Sequence, residues 1–187
     1  PGNPKTRYGH QYLAGGLAAV WATANTREAI FDALLRREVY ATTGTRLRVR
    51  MFGGLNFTSF SFKGDWVQGA YERGVPMGSK LVAGRRVPSF IVHAIKDPMG
   101  ANLDRIQIVK GWIDSGGAAH EKVFDAVWSD PLKRKRGADG HLAPVGDTVD
   151  VASATYTNSI GATELRTVWR DPEYQPGLKA FYYARVL

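Results

Sequence analysis

The chain has 187 residues, no cysteine, 44% hydrophobic and 22% charged residues, and a formal net charge of +8. That balance predicts one globular domain, or one domain plus a fragment of another, and excludes collagen-like and disordered chains. The missing cysteine excludes disulfides, thiolate metal sites and a cysteine nucleophile, and no run of about 18 apolar residues is available to span a bilayer.

No basic-then-apolar leader opens the sequence, which fits a mature, truncated or cytoplasmic chain. The charge is unevenly spread. Residues 1–50 hold eight Lys/Arg against three Asp/Glu, whereas residues 51–187 hold 17 against 14. Such an excess suits an anionic partner (phosphate, nucleic acid or an acidic neighbouring surface), or it is simply a solvated basic face.

In chain order, the first element is a helix from about Thr26 to Arg37 or Glu38. Asn25 followed by Glu28 resembles a capping box, and Ile30, Phe31, Leu34 and Leu35 form one apolar stripe. Arg36 and Arg37 suit the negative end of the helix dipole. Next, Val39–Thr43 is a β-branched and aromatic run that stops at Gly44. Leu47, Val49 and Met51 then alternate with Arg46, Arg48 and Arg50, as in a half-buried strand. The remaining candidate strands are Asn56–Phe62, Val87–Lys96, Arg105–Ile113, Lys122–Trp128, Glu164–Arg170 and Ala180–Val186, separated by loops rich in Gly, Pro, Asp and Ser. No second helical pattern of comparable strength follows. The pattern predicts a mainly β chain: an α/β piece over 1–45 feeding an antiparallel β-sandwich over 46–187.

Motifs for chemistry are sparse. His10, His93, His120 and His141 share no ligand spacing. His10 lies in a Gly/Tyr-rich lead-in and is a weak candidate for a loop ligand. His93 reads as a structural histidine in mid-strand, while His120 and His141 read as solvent-facing. There is no nucleophile elbow and no phosphate-cradling loop. Asp147 and Asp150 read as a solvated turn, not an acid/base pair. The run Lys133–Arg136 lies in a long loop, where it is either a phosphate or nucleic-acid contact or a charged, solvated stretch. It lacks the interleaved aromatics of single-strand binders, so nucleic acid is not the favoured partner. Thr42, Thr43 and Arg46 flank Gly44 at a strand end. They could hold an anion through hydroxyls and a guanidinium fork, or be no more than a glycine-hinged connection.

A family resemblance adds what pattern alone does not. The stretches Gly15–Ala22, Asn25–Leu34 and Arg37–Gly44 resemble the bacterial family catalogued as domain of unknown function 3604. Arg105–Asp114, Glu121–Ser129, Pro144–Val149, Tyr156–Asn158 and Phe181–Leu187 also resemble it. That family is related to the polymerase-and-histidinol-phosphatase (PHP) barrel, whose members hold two or three metals, commonly Mn, Zn or Fe, and typically hydrolyse phosphate esters. The resemblance implies that residues 1–45 are the final helix and strand of a PHP-like β/α barrel. The chain would be the C-terminal portion of a larger metal-dependent hydrolase whose ligands lie upstream. No metal ligand carries over to this sequence. The implied partners are an N-terminal barrel portion, or a second chain completing the barrel, and a small phosphorylated substrate. A periplasmic or secreted location is favoured over a cytoplasmic one, and a non-catalytic β-sandwich binding or interaction module is the alternative reading. On either reading the stripe Ile30/Phe31/Leu34/Leu35 needs a cover.

Overall fold

Two antiparallel sheets face each other across the main core, the arrangement of a β-sandwich, in a computed structural model that describes residues 15–187. The N-terminal part contains β1 (Leu17–Val20), α1 (Arg27–Arg36) and β2 (Val39–Thr42). β1 and β2 pair antiparallel, with Val20 opposite Val39. The larger sheet runs β10 (Glu164–Arg170), β5 (Ser89–Ile95), β3 (Arg48–Gly54), β4 (Gly74–Pro76). The smaller one runs β11 (Ala180–Val186), β6 (Arg105–Ile113), β7 (Ala119–Trp128). Two short strands, β8 (Val149–Asp150) and β9 (Thr155–Tyr156), form a separate pair.

The β period explains the packing. Val49, Met51, Phe90, Val92, Ala94 and Leu165 from the larger sheet meet Ile106 and Ile108 from β6, with Tyr182, Ala184 and Val186 of β11 closing the same core. The larger sheet is also covered on its other face. Phe52 and Ile91 pack there with Phe57 and with Ala70 of a second helix, α2 (Trp66–Arg73). The layers are therefore helix, four strands and three strands.

Several expectations need correction. The N-cap of α1 is Thr26, whose hydroxyl accepts from the Ala29 N–H at 3.2 Å, and not Asn25. The helix ends at Arg36, two residues before Glu38, because Arg37 adopts the left-handed conformation (φ 61°), and the Glu38 N–H returns to the Ala33 carbonyl. Asn56–Phe62 is not a strand. Phe57 plugs the second core, and Ser59–Phe62 form a 3-10 turn in which Thr58 N–H donates to Ser61 Oγ. α2 was not expected, although Asp65 with Gln68 three residues on carries a cap signature that the structure uses: Asp65 Oδ1 accepts from the Gln68 N–H at 3.0 Å.

Two glycines allow close approaches. Gly78 (φ 79°) lies where a Cβ would overlap the Arg37 backbone. Gly111 lies directly beneath the ring of Phe181 on the neighbouring strand.

Candidate functional site

The turn from β2 to β3 carries the residues singled out for anion binding. Gly44 (φ 117°) reverses the chain there. The Thr42 hydroxyl donates to the Thr45 carbonyl at 2.5 Å and accepts from the Gly44 N–H, so its proton serves the turn. Thr43 is exposed. Arg46 presents its guanidinium to solvent, while its backbone N–H donates to Asp97 Oδ2 at 2.7 Å. That bond and one from the Met99 N–H hold the Asp97 carboxyl below the usual range. The three candidates thus share one turn, from which the Arg46 side chain stands exposed. His10 lies outside the described residues.

The second polar cluster joins β1–α1–β2 to the sandwich. Glu38, buried after α1, accepts from Arg36 Nε at 2.9 Å and from the Tyr71 hydroxyl on α2. Burial first, and then the bond to Glu38, raises the Tyr71 phenol. Arg50 donates to that same phenol oxygen at 2.7 Å and lies 4.3 Å from the Trp21 ring centroid, with the rings of Phe52 and Tyr71 at 5.3 and 5.4 Å. The Trp21 indole N–H reaches the Val49 carbonyl at 3.0 Å. A guanidinium ringed by three aromatics and backed by a carboxylate is a well-satisfied packing device. Its Nη2 is directed at the Tyr71 hydroxyl, with Glu38 Oε2 3.8 Å away.

A third cluster is the most buried. Lys110 on β6 donates to Asp171 Oδ2 at 2.6 Å and to the Glu173 carbonyl at 2.8 Å. The Tyr182 hydroxyl also donates to Asp171 Oδ2, at 2.6 Å, and the Glu173 N–H donates to Oδ1 at 2.8 Å. Burial, reinforced by the bond to Asp171, pushes the Tyr182 phenol well above its ordinary value. Trp112, Tyr174 and Leu178 line a small cleft beside this group. The Lys110 Nζ is taken up by its carboxylate partner and the Glu173 carbonyl, which makes the cluster a structural ion pair and not a free amine nucleophile.

The basic run departs from its solvated reading at two positions. Arg134 donates to Asp104 Oδ1 at 2.5 Å, to Ser129 Oγ at 2.8 Å and to the Ala143 carbonyl at 2.7 Å. Burial would raise the Asp104 carboxyl, but the bonds from Arg105 and Arg134 outweigh it and hold it low. Arg136 lies 5.3 Å from the Trp128 ring centroid and donates to the Asp125 carbonyl at 2.7 Å. Lys133, Lys135 and Arg136 keep the exposed character expected of the whole run, and Arg134 alone is half-buried.

The described histidines are each accounted for. His93 sits 2.9 Å from Glu164 and edge-on to Trp66, as a satisfied structural histidine should. His120 pairs with Asp114 at 2.7 Å and stacks on Trp112, and the bond to His120 leads the causes that lower the Asp114 carboxyl. His141 is exposed. Among the described residues no three His, Asp or Glu side chains converge as a metal site would require. No helix among them is long and apolar enough to cross a membrane.

Burial reveals one more feature. Phe31, Leu34 and Leu35 on α1 are 58%, 50% and 65% exposed, and Leu17 and Val39 on the adjoining strand pair are exposed too. Ala33 is the buried residue of α1, and Ile30 is half-buried.

A family model described as "Protein of unknown function (DUF3604)" matches residues 2–187. No curated protein and no solved structure matches the chain.

Proposed function

Because the chain belongs to the DUF3604 family, we propose that it is the C-terminal portion of a PHP-like metal-dependent hydrolase, a phosphoesterase whose metal ligands lie upstream. One observation carries this reading: the apolar face of α1 stands exposed beside the β1–β2 pair. Leaving Phe31, Leu34 and Leu35 in water forgoes roughly 1.5–3 kcal/mol for each side chain that burial would return. A neighbouring barrel portion, or a second chain completing the barrel, would supply that cover. β2 pairs on one edge only among the described residues, so its other edge is open to a parallel barrel strand.

The divalent metal of such a hydrolase (Mn, Zn or Fe) does not fit the described residues. Their His–carboxylate pairs, His93–Glu164 and His120–Asp114, are each short of a ligand set. No step of the hydrolysis is assigned to them. The contribution proposed for this chain is docking through α1 and an anion contact through the exposed Arg46 guanidinium, whose fork matches phosphate oxygens as an ammonium does not.

Arg46→Lys in the longer protein tests this. It is expected to lower kcat/KM for a phosphoester at least tenfold, about 1.4 kcal/mol, with melting temperature unchanged. Retained activity, or a fall that merely tracks melting temperature, would make Arg46 structural. A longer protein that binds no Mn, Zn or Fe and turns over no phosphoester favours the second reading, a non-catalytic β-sandwich binding module. The aromatic outer face of the smaller sheet supports that alternative.

A further inference from the structure

The two sheets of the sandwich differ in what lies outside them. α2 and Phe57 cover the larger sheet, whereas no described helix covers the outer face of β11–β6–β7. Strand alternation sends Tyr182, Ala184 and Val186 into the core, and Phe181, Tyr183 and Arg185 outward. Phe181 is 59% exposed and Tyr183 45%.

These two rings form a platform. Their planes differ by 10° and their centroids are 6.4 Å apart. Gly111 is the reason they can lie flat, since any Cβ there would occupy the space taken by three carbons of the Phe181 ring. Val109, opposite Tyr183 and Val123 in register, is fully buried beneath the same face.

A polar row runs along one side. Arg185 Nε donates to Gln107 Oε1 at 2.8 Å, and Gln107 Nε2 donates to Asp125 Oδ1 at 2.7 Å. That chain fixes the Arg185 fork while leaving its terminal N–H groups available. Glu121 stands exposed opposite Gly111, beside the Phe181 ring.

We propose that this face binds a neutral saccharide, with the pyranose rings laid on Phe181 and Tyr183 and their hydroxyls meeting Arg185 and Glu121. The C–H face of a pyranose is apolar and weakly positive, which suits the negative face of an aromatic ring, while its equatorial hydroxyls require donors and acceptors at the rim. The charges beside the two rings do not favour a polyanion: Glu121 and Asp125 are matched by Arg185 and by Arg105, which lies 3.4 Å from Asp125, so no strong excess of cations stands there to hold a nucleic acid. The proposal is independent of the hydrolase reading, since it concerns the opposite side of the smaller sheet from the sandwich core and does not involve Arg46.

The test is co-sedimentation of the 187-residue chain with cellulose, chitin, xylan and mannan, together with calorimetric titration of cellohexaose. The expected result is retention on at least one polymer or binding of the hexasaccharide. Phe181→Ala and Tyr183→Ala should weaken it at least tenfold, and Tyr183→Trp should retain it. Should Phe181→Ala unfold by uncovering Gly111, Arg185→Ala removes only the rim donors and is expected to weaken binding at least threefold. No retention on any of the five probes, or retention indifferent to all these variants, overturns the proposal. So does a dimer that dissociates on Tyr183→Ala, or salt-steep binding of single-stranded DNA through the same two rings.

Discussion

Asp171→Ala is expected to destabilise the fold by about 3–5 kcal/mol, as breaking a buried ion pair from one side does. The Asp171 side chain is fully buried and accepts from Lys110, from the Tyr182 hydroxyl and from the Glu173 N–H. Its removal leaves the buried Lys110 ammonium with the Glu173 carbonyl alone. The double variant Lys110→Met/Asp171→Leu should recover most of the loss, because both desolvation penalties vanish together. Urea denaturation of the three proteins measures this. A loss under about 1 kcal/mol for Asp171→Ala would show that the pair does not anchor the segment after β10 to β6.

Phe52→Ala is expected to cost a similar amount, about 3–5 kcal/mol, as for large aromatic deletions in a core. Phe52 is fully buried and meets Tyr71 edge-on at 4.9 Å and Trp66 at 6.0 Å. Those contacts join β3 to α2, and the same ring supports Arg50. Truncation opens a cavity under α2 and loosens the bridge from Arg50 to Trp21. Phe60→Ala is the control. That ring is 69% exposed, so its removal should change stability by less than about 0.5 kcal/mol.

Arg50 and Phe52 also show where the sequence was legible and where it was not. The alternation of Leu47, Val49 and Met51 with three arginines identifies the core-facing side of β3, and Val49 and Met51 do enter the sandwich core. Periodicity does not say what covers the opposite side. The three arginines suit an uncovered side, but α2 lies on it near Phe52, and Arg50 stacks on Trp21 there. α2 has only eight residues, one of them Gly69, too few for a strong helical period in the sequence. By contrast, Arg105–Ile113, Glu164–Arg170 and Ala180–Val186 are strands with the expected bounds, since long β-branched and aromatic runs between turn residues leave few alternatives.

The sites follow the same division. Thr42, Thr43 and Arg46 are close in sequence, so their shared turn could be anticipated. Lys110 and Asp171 are 61 positions apart, and no local pattern joins them. The bonds of Arg134 to Asp104 and Ala143 depend on how the loop folds back, which a charge run does not encode. The flat pair Phe181–Tyr183 had a faint signal, two aromatics at spacing two near the end of a strand. Its flatness depends on Gly111, a residue of another strand.

The exposed stripe of α1 was anticipated in a different sense: the sequence shows an apolar face without showing its cover. Sedimentation velocity and limited proteolysis of the 187-residue chain, compared with Phe31→Ser/Leu34→Ser/Leu35→Ser, test that docking role most directly. The expected result is concentration-dependent association, or cleavage within the N-terminal third, for the native sequence, with association abolished in the triple variant and its stability little changed. A native chain that stays a monodisperse, protease-resistant monomer at every concentration would contradict the assignment of α1 as a docking face.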